Sequence, residues 1–210
     1  MLLCDIGNTT ASFLNEQKFH SMSIEQFLQY EPTQKVFYIN VNPNLEQRLK
    51  QNPLFINLAP YFNFDTIYKN LGVDRIAACY TIEDGVVVDA GSAITVDIVS
   101  NSIHLGGFIL PGIESYKKSF ASISSRLKHE LNTQINFDAF PQRTIDALSY
   151  GVFKSIYLLI KDSAYDKKLY FTGGDGQFLA NFFDYAIYDK FLIFRGMKKA
   201  VCEKFYTLKD

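Results

Sequence analysis

The chain opens on an apolar run, Leu2 to Cys4, that meets Asp5 and then a Gly7-Asn8 turn. A second run with alternating apolar positions follows from Thr10 to Leu14, before another turn at Asn15-Glu16. Short runs closed by Gly and Asn read as strands, the second returning antiparallel to the first. Ser23 and Gln26 have the spacing of a capping box and predict a short helix through Tyr30. Val36 to Ile39 reads as a strand, Asn42-Pro43 as the start of a helix near Leu45 to Lys50, and Leu54 to Leu58 as another strand. Asp74 then reads as the cap of a helix running towards Thr81, and Glu83-Asp84-Gly85 as a turn.

Strands are predicted in quick succession at Val86 to Asp89, Thr95 to Val99 and Ile103 to Leu110. Pro111-Gly112 ends the last of them and leads into a helical region containing Lys117, Lys118 and Arg126. The longest helical pattern runs from Thr144 to Ile160, weakened in its middle by Gly151. After it come a strand at Leu169 to Thr172, a Gly173-Gly174 turn and a helix from Gln177 to Phe183. Short strands at Ala186 to Tyr188 and Leu192 to Phe194 and a closing helix from Gly196 to Phe205 complete the pattern. No low-complexity stretch or long linker interrupts it. In an α/β chain of two lobes the boundary falls near residues 80 to 85, giving lobes of 1–82 and 83–210 with the last helix able to pack back on the first.

Composition narrows the class. With 210 residues, 48% hydrophobic and a net charge of -1, the chain can bury a core and carries no basic excess for nucleic acid or a membrane surface. The 19 Phe and 13 Tyr fit core filling without Trp, and are also compatible with a dimer face. Cys4, Cys79 and Cys202 are odd in number and outside any CxxC, and His20, His104 and His129 have no ligand spacing with them. That pattern predicts neither a disulfide framework nor a zinc site and suits a reducing cytoplasm. The start, MLLCDIGNTT, lacks a signal-peptide pattern, and no apolar run is long enough to span a bilayer.

One repetition carries chemistry. The first strand ends in Asp5-Ile6-Gly7-Asn8-Thr9-Thr10, and a strand past the midpoint ends in Asp89-Ala90-Gly91-Ser92-Ala93. Each is an apolar strand, an Asp, a Gly one residue on, small polar residues, and a second strand. Glycine lets a phosphate approach the backbone, turn amides and hydroxyls donate to its oxygens, and the Asp can hold a cation. Asp-Gly and Gly-Asn are also ordinary hairpin chemistry. Two such turns at equivalent positions favour a nucleotide gripped between lobes. Thr172-Gly173-Gly174-Asp175, between a strand and a helix, could complete that cleft.

At this point the residues resemble a family. Paired hairpins with a later Gly-Gly turn are similar to the actin, hexokinase and heat-shock chaperone superfamily, which implies duplicated ribonuclease H-like lobes of mixed sheet flanked by helices. Five stretches in order resemble type III pantothenate kinases. They are DIGNT at Asp5 to Thr9, GVDR at Gly72 to Arg75 after Tyr68-Lys69-Asn70, VVVDAGSAITVD at Val86 to Asp97, HLGGFILPGI at His104 to Ile113, and PQRTIDALSYG at Pro141 to Gly151.

The resemblance implies phosphoryl transfer from ATP to the terminal hydroxyl of pantothenate, the first step towards coenzyme A. It implies that Asp5, Ile6, Gly7, Asn8, Thr9, Thr10, Ala11 and Ser12 hold the ATP phosphates, with Ser92 also touching ATP. By the same resemblance Asp74 is the general base, and Tyr68, Gly72, Val73, Asp74, Arg75 and Thr144 line the pantothenate site. Asp89 would bind a monovalent cation, K⁺ or NH₄⁺, with Mg²⁺ accompanying the nucleotide, and the enzyme would be a homodimer. A carboxylate beside a primary alcohol, and an arginine fork for a carboxylate or phosphoryl group, suit that chemistry. Read alone, Asp74 and Thr144 are equally helix caps, Arg75 a surface ion pair and Tyr68 a core aromatic.

The chain departs from the family in places. Ser92 stands where Thr is usual, Ser12 where some members have Lys, and the gap between Asn70 and Gly72 is short. Two other readings share the fold: a kinase of another hydroxy acid or sugar, and a non-catalytic regulator. The GVDR stretch argues against the regulator, which has no need of a base and an arginine.

Overall fold

The computed structural model describes residues 1–16 and 18–205. Its first strand, β1 (Leu2–Ile6), is central to a sheet because Leu2, Leu3, Cys4 and Ile6 are all buried. β2 (Thr10–Asn15) returns antiparallel beside it, with Asp5 opposite Ser12 and Ile6 opposite Ala11. β3 (Lys18–Ser23) pairs antiparallel with β2, and α1 (Ile24–Phe27) follows, opened by the Ser23/Gln26 capping box. β4 (Val36–Asn40) lies parallel on the other side of β1. The Asn42 side chain accepts from the Asn44 amide and begins a 3-10 turn, Pro43–Leu45, that runs into α2 (Glu46–Gln51). β5 (Phe55–Asn57) then adds parallel to β4. The order is β3-β2-β1-β4-β5.

After α3 (Val73–Cys79) the pattern repeats. β6 (Gly85–Ala90), β7 (Ala93–Ser100) and β8 (Ile103–Pro111) are followed by α4 (Ile113–Ile123) and the long α5 (Thr144–Ala164). β9 (Leu169–Thr172) joins β6 in parallel, α6 (Gly176–Ala180) follows, and β10 (Ile187–Tyr188) joins β9. Read from its far edge, this sheet is β8-β7-β6-β9-β10, the strand order of the first sheet repeated. Two mixed five-stranded sheets of the same order are the duplicated ribonuclease H-like architecture that the resemblance implies. α7 (Leu192–Phe205) closes the described chain.

The chain forms two compact units. One comprises Met1–Glu83, Val99–Gly106 and the chain from Phe191; the other comprises Asp84–Ile98 and Gly107–Lys190. Residues 206–210 of the expected second lobe lie outside the described residues. Each unit has its own aromatic-rich core. In the first, Phe13, Phe27, Tyr30 and Phe55 pack with centroids 5.0 to 6.1 Å apart. In the second, Phe153, Phe178 and Phe182 cluster similarly, and Phe171 sits against Phe183 at 5.5 Å. Much of the aromatic surplus is therefore core.

Local expectations differ from the structure at a few points. Leu192 to Phe194 is the first turn of α7, not a strand: the buried positions Leu192, Ile193, Phe194, Gly196, Met197, Ala200 and Val201 fall on one broad helical face. Gly196 lies inside that helix because a Cβ there would overlap the Ala77 carbonyl of α3. β3 was not anticipated, since KFHSMS has no alternating apolar pattern and holds no fully buried residue. α1 stops at Phe27, short of Tyr30. The three cysteines are free thiols. Among the described residues no helix is long and apolar enough to cross a membrane.

Candidate active site

In the first unit the β1–β2 hairpin presents its turn outward. The Gly7 amide donates to the Thr10 carbonyl at 2.9 Å, closing the turn, and the Ile24 amide donates to Thr9 at 3.1 Å. Asn8, Thr9 and Thr10 are exposed and Asp5 is half-buried, whereas the Ile6 and Ala11 side chains face the core. Those two could meet a phosphate only through their backbone. The Ser12 hydroxyl shares a 3.0 Å hydrogen bond with Ser21 of β3. The polar face of the hairpin thus carries Asp5, Ser12 and hydroxyl groups, as a phosphate-binding turn requires.

The GVDR stretch forms the start of α3. Gly72 is the N-cap and Asp74 lies in the first turn, where its Oδ1 accepts the Arg75 amide at 2.8 Å. Asp74 is therefore not the cap residue; a carboxylate one step inside the helix still satisfies a first-turn amide. A Cβ on Gly72 would lie 2.5 Å from Asp74 Oδ1, so glycine leaves this carboxylate its place. Arg75 is buried at 6% exposure, and its guanidinium carbon stands 4.9 Å over the Tyr68 ring. That burial sets aside the surface-ion-pair reading. The stacking joins Tyr68 to GVDR despite the short gap between them.

α7 supports α3 from behind. Beyond the Gly196–Ala77 approach, the Tyr80 hydroxyl donates to Glu203 at 2.5 Å and Lys199 Nζ donates to the Tyr80 carbonyl at 3.1 Å. Burial, followed by the hydrogen bond to Glu203, pushes the Tyr80 phenol up to about 12. Tyr80 therefore remains a donor throughout the physiological range.

In the second unit Asp89 is the last residue but one of β6 and Gly91-Ser92 forms the turn, with the Gly91 amide donating to the Ala93 carbonyl at 2.9 Å. Two glycines converge on this turn. The Gly112 amide donates to the Ser92 carbonyl at 3.2 Å, and a Cβ on Gly112 would overlap the Gly91 carbonyl. Gly173 has φ +85°, and a Cβ there would sit 2.5 Å from Asp89 Oδ1. The Asp175 amide donates to the Ala90 carbonyl at 2.9 Å, and Ser115 Oγ donates to Ser92 at 3.4 Å. The Asp89–Ser92 turn is thus bracketed by Gly112 and by Gly173–Asp175. Gly173 and Asp175 lie in the turn expected to complete the cleft, whereas Gly112 was not among the expected site residues, although Pro111-Gly112 marked its turn.

Thr144 is the exposed first residue of α5, whose N-cap is Arg143, so Thr144 does not cap the helix either. Asp146, two residues on, accepts from Arg143 Nε and Asn132 Nδ2, both at 2.8 Å, which ties the preceding loop to the helix. Thr144, Asp89 and Ser92 belong to the second unit, and the other expected site residues to the first.

Burial, with repulsion from Glu114 and partial relief from Lys117, raises the Asp175 carboxyl above the usual range. A raised folded-state pKa means that folding favours the protonated form. That contribution is present below the unfolded pKa and is lost as pH rises through the folded value. Asp175→Asn should therefore melt at a higher temperature than the parent at about pH 7.5, with the gap closing towards about pH 4. A lower or equal melting temperature at the higher pH in differential scanning fluorimetry would contradict this.

Among the described residues no group of three or more His, Cys, Asp or Glu side chains converges, so an all-protein divalent cage is absent. The Asp89 carboxylate, beside a Gly173 that leaves it room, offers the oxygen chemistry a monovalent cation takes.

Comparison with known proteins follows the same direction. Residues 16–165 match the model of the type III pantothenate kinase family. A curated type III pantothenate kinase of Campylobacter jejuni strain RM1221 is 72% identical over 203 residues, covering 97% of each chain. A crystal structure of a Campylobacter jejuni protein assigned to the Baf family of transcriptional activators superposes with TM-score 0.91 at 69% identity, over 97% of this chain and 98% of that one. A Sinorhizobium meliloti protein assigned as a 2-dehydro-3-deoxygalactonokinase shares the fold alone, with TM-score 0.57 at 8% identity over 100% of this chain and 98% of that one. By its hairpins, its GVDR helix start and its full-length likeness, this chain belongs to the type III pantothenate kinase family.

Proposed function

We propose that the protein transfers the γ-phosphoryl group of ATP to the terminal hydroxyl of pantothenate, giving 4'-phosphopantothenate for coenzyme A synthesis. The observation that carries this reading is the 72% identity to a curated type III pantothenate kinase over 97% of both chains. The half-buried Asp74, beside a buried Arg75 that stacks on Tyr68, supports it. Asp74 accepts the hydroxyl proton as the alcohol oxygen bonds to the γ-phosphorus; the bond to the β,γ-bridging oxygen breaks and ADP leaves with its electrons. Arg75, with Tyr68, Gly72, Val73 and Thr144, orients pantothenate by its carboxylate and polar groups. The residues Asp5 to Ser12 and Ser92 hold the nucleotide through backbone and hydroxyl donors. When bound, Mg²⁺ and a K⁺ or NH₄⁺ ion at Asp89 supply positive charge against the phosphate oxygens. The enzyme acts as a cytoplasmic homodimer in this reading.

Coupled ADP release over a panel of hydroxy acids and sugars tests it. Release is expected with pantothenate alone, and replacing K⁺ by Na⁺ should slow it by about tenfold or more. Equal release with another hydroxy acid or sugar would move the assignment to a different kinase. Failure to bind or hydrolyse ATP at all would favour the non-catalytic regulator.

A further inference from the structure

Between the 3-10 turn Ala59–Tyr61 and α3 the chain has no helix and one isolated β-bridge, Thr66 to His104. Tyr68 sits in this segment, and Arg75 stacks on its ring. An irregular stretch of this kind does not by its own preferences hold an aromatic side chain in one place. Something else must hold it.

The bonds at the bridge supply that hold. The His104 amide donates to the Asp65 carbonyl at 2.9 Å, and the Ile67 amide donates back to the His104 carbonyl at 3.4 Å. The Thr66 hydroxyl lies 2.7 Å from His104 Nδ1 and accepts the Tyr68 amide at 3.0 Å. A hydroxyl has one hydrogen and two lone pairs, so it can serve the imidazole and the amide together in either tautomer. His104 is fully buried, and its ring also lies 6.0 Å from Phe64 and 6.1 Å from Tyr68. The imidazole is therefore a fixed post, and the Thr66 hydroxyl passes that fixity to the Tyr68 backbone.

We infer that Thr66 and His104 form a positioning pair that fixes Tyr68, and through its ring the Arg75 guanidinium, for pantothenate binding. The inference rests on the substrate-lining role proposed for Tyr68 and Arg75. His104 opens the HLGGFILPGI stretch, whose far end, Gly112, abuts the Asp89–Ser92 turn. Neither member of the pair touches the reacting atoms in this account. Both act through Tyr68.

Steady-state kinetics on Thr66→Val, Thr66→Ser, Tyr68→Ala and the Thr66→Val/Tyr68→Ala double variant tests the pair. Thr66 is half-buried and valine has its shape, so loss of the hydroxyl is the main change. Thr66→Val should raise the pantothenate KM by about tenfold, with kcat and the ATP KM within about twofold of the parent. Thr66→Ser, which restores the hydroxyl, should recover most of the loss. In the Tyr68→Ala background, Thr66→Val should add less than about twofold. A merely structural role would instead lower activity towards both substrates together and persist without Tyr68, and either result overturns the inference. A raised pantothenate KM in Tyr68→Ala with a parental one in Thr66→Val removes the positioning pair alone. A parental pantothenate KM in Tyr68→Ala removes the substrate-lining role and the inference with it.

Discussion

Asp74→Asn is expected to fold as the parent does and to lose kcat/KM for pantothenate phosphorylation by about a hundred- to ten-thousand-fold. The asparagine keeps an oxygen where Asp74 Oδ1 accepts the Arg75 amide at 2.8 Å, so the first turn of α3 retains its hydrogen bond. What the amide cannot do is accept a proton at neutral pH. The alcohol oxygen must then attack the γ-phosphorus with its proton still in place or lose it to water. Circular dichroism and a melting curve check the fold, and ADP release checks turnover. Parental turnover in this variant would show that Asp74 is not the base.

Gly196→Ala carries the second large effect, and it acts at a distance from the chemistry. A Cβ at this position would overlap the Ala77 carbonyl, a backbone atom of α3 that cannot swing aside as a side chain could. Either α7 moves out or α3 shifts, at a cost of about 1–3 kcal/mol for overpacking a close helix contact. For a chain of this size that corresponds to a fall in melting temperature of about 3–10 °C. Ala77 is in the same short helix as Asp74 and Arg75, so kcat/KM should fall along with stability. Parental melting and parental activity together would show that the two helices tolerate separation.

The sequence made some of this legible. Both Asp-x-Gly hairpins could be read because each depends on neighbours in the chain: an apolar strand, a turn glycine and a returning strand. The order of the strands within each sheet was not legible in this way, because it depends on pairings between strands far apart in the chain. α7 was harder, since Leu192-Ile193-Phe194 is a continuous apolar run that suits a strand or a buried helix equally. Gly196 looked like a helix start because glycine usually punctuates, whereas its reason is a backbone approach from a residue more than a hundred positions away. β3 is an edge strand with no fully buried side chain, so it leaves no hydrophobic signature. The same holds at the site. Asp74 and Arg75 lie in one local motif, but the convergence of Gly112 and Gly173 on Asp89–Ser92, and of His104 on Thr66, arises only from tertiary pairing.

The destination of the γ-phosphoryl group decides whether the protein is a pantothenate kinase. Incubating the protein with ATP labelled at the γ-phosphate, Mg²⁺, K⁺ and pantothenate, then separating the products by chromatography with mass spectrometry, follows that group. The expected result is label on the terminal hydroxyl of pantothenate, one equivalent for each ADP formed. Pantothenate recovered without label, whether ATP is spared or is spent to free phosphate, would contradict it.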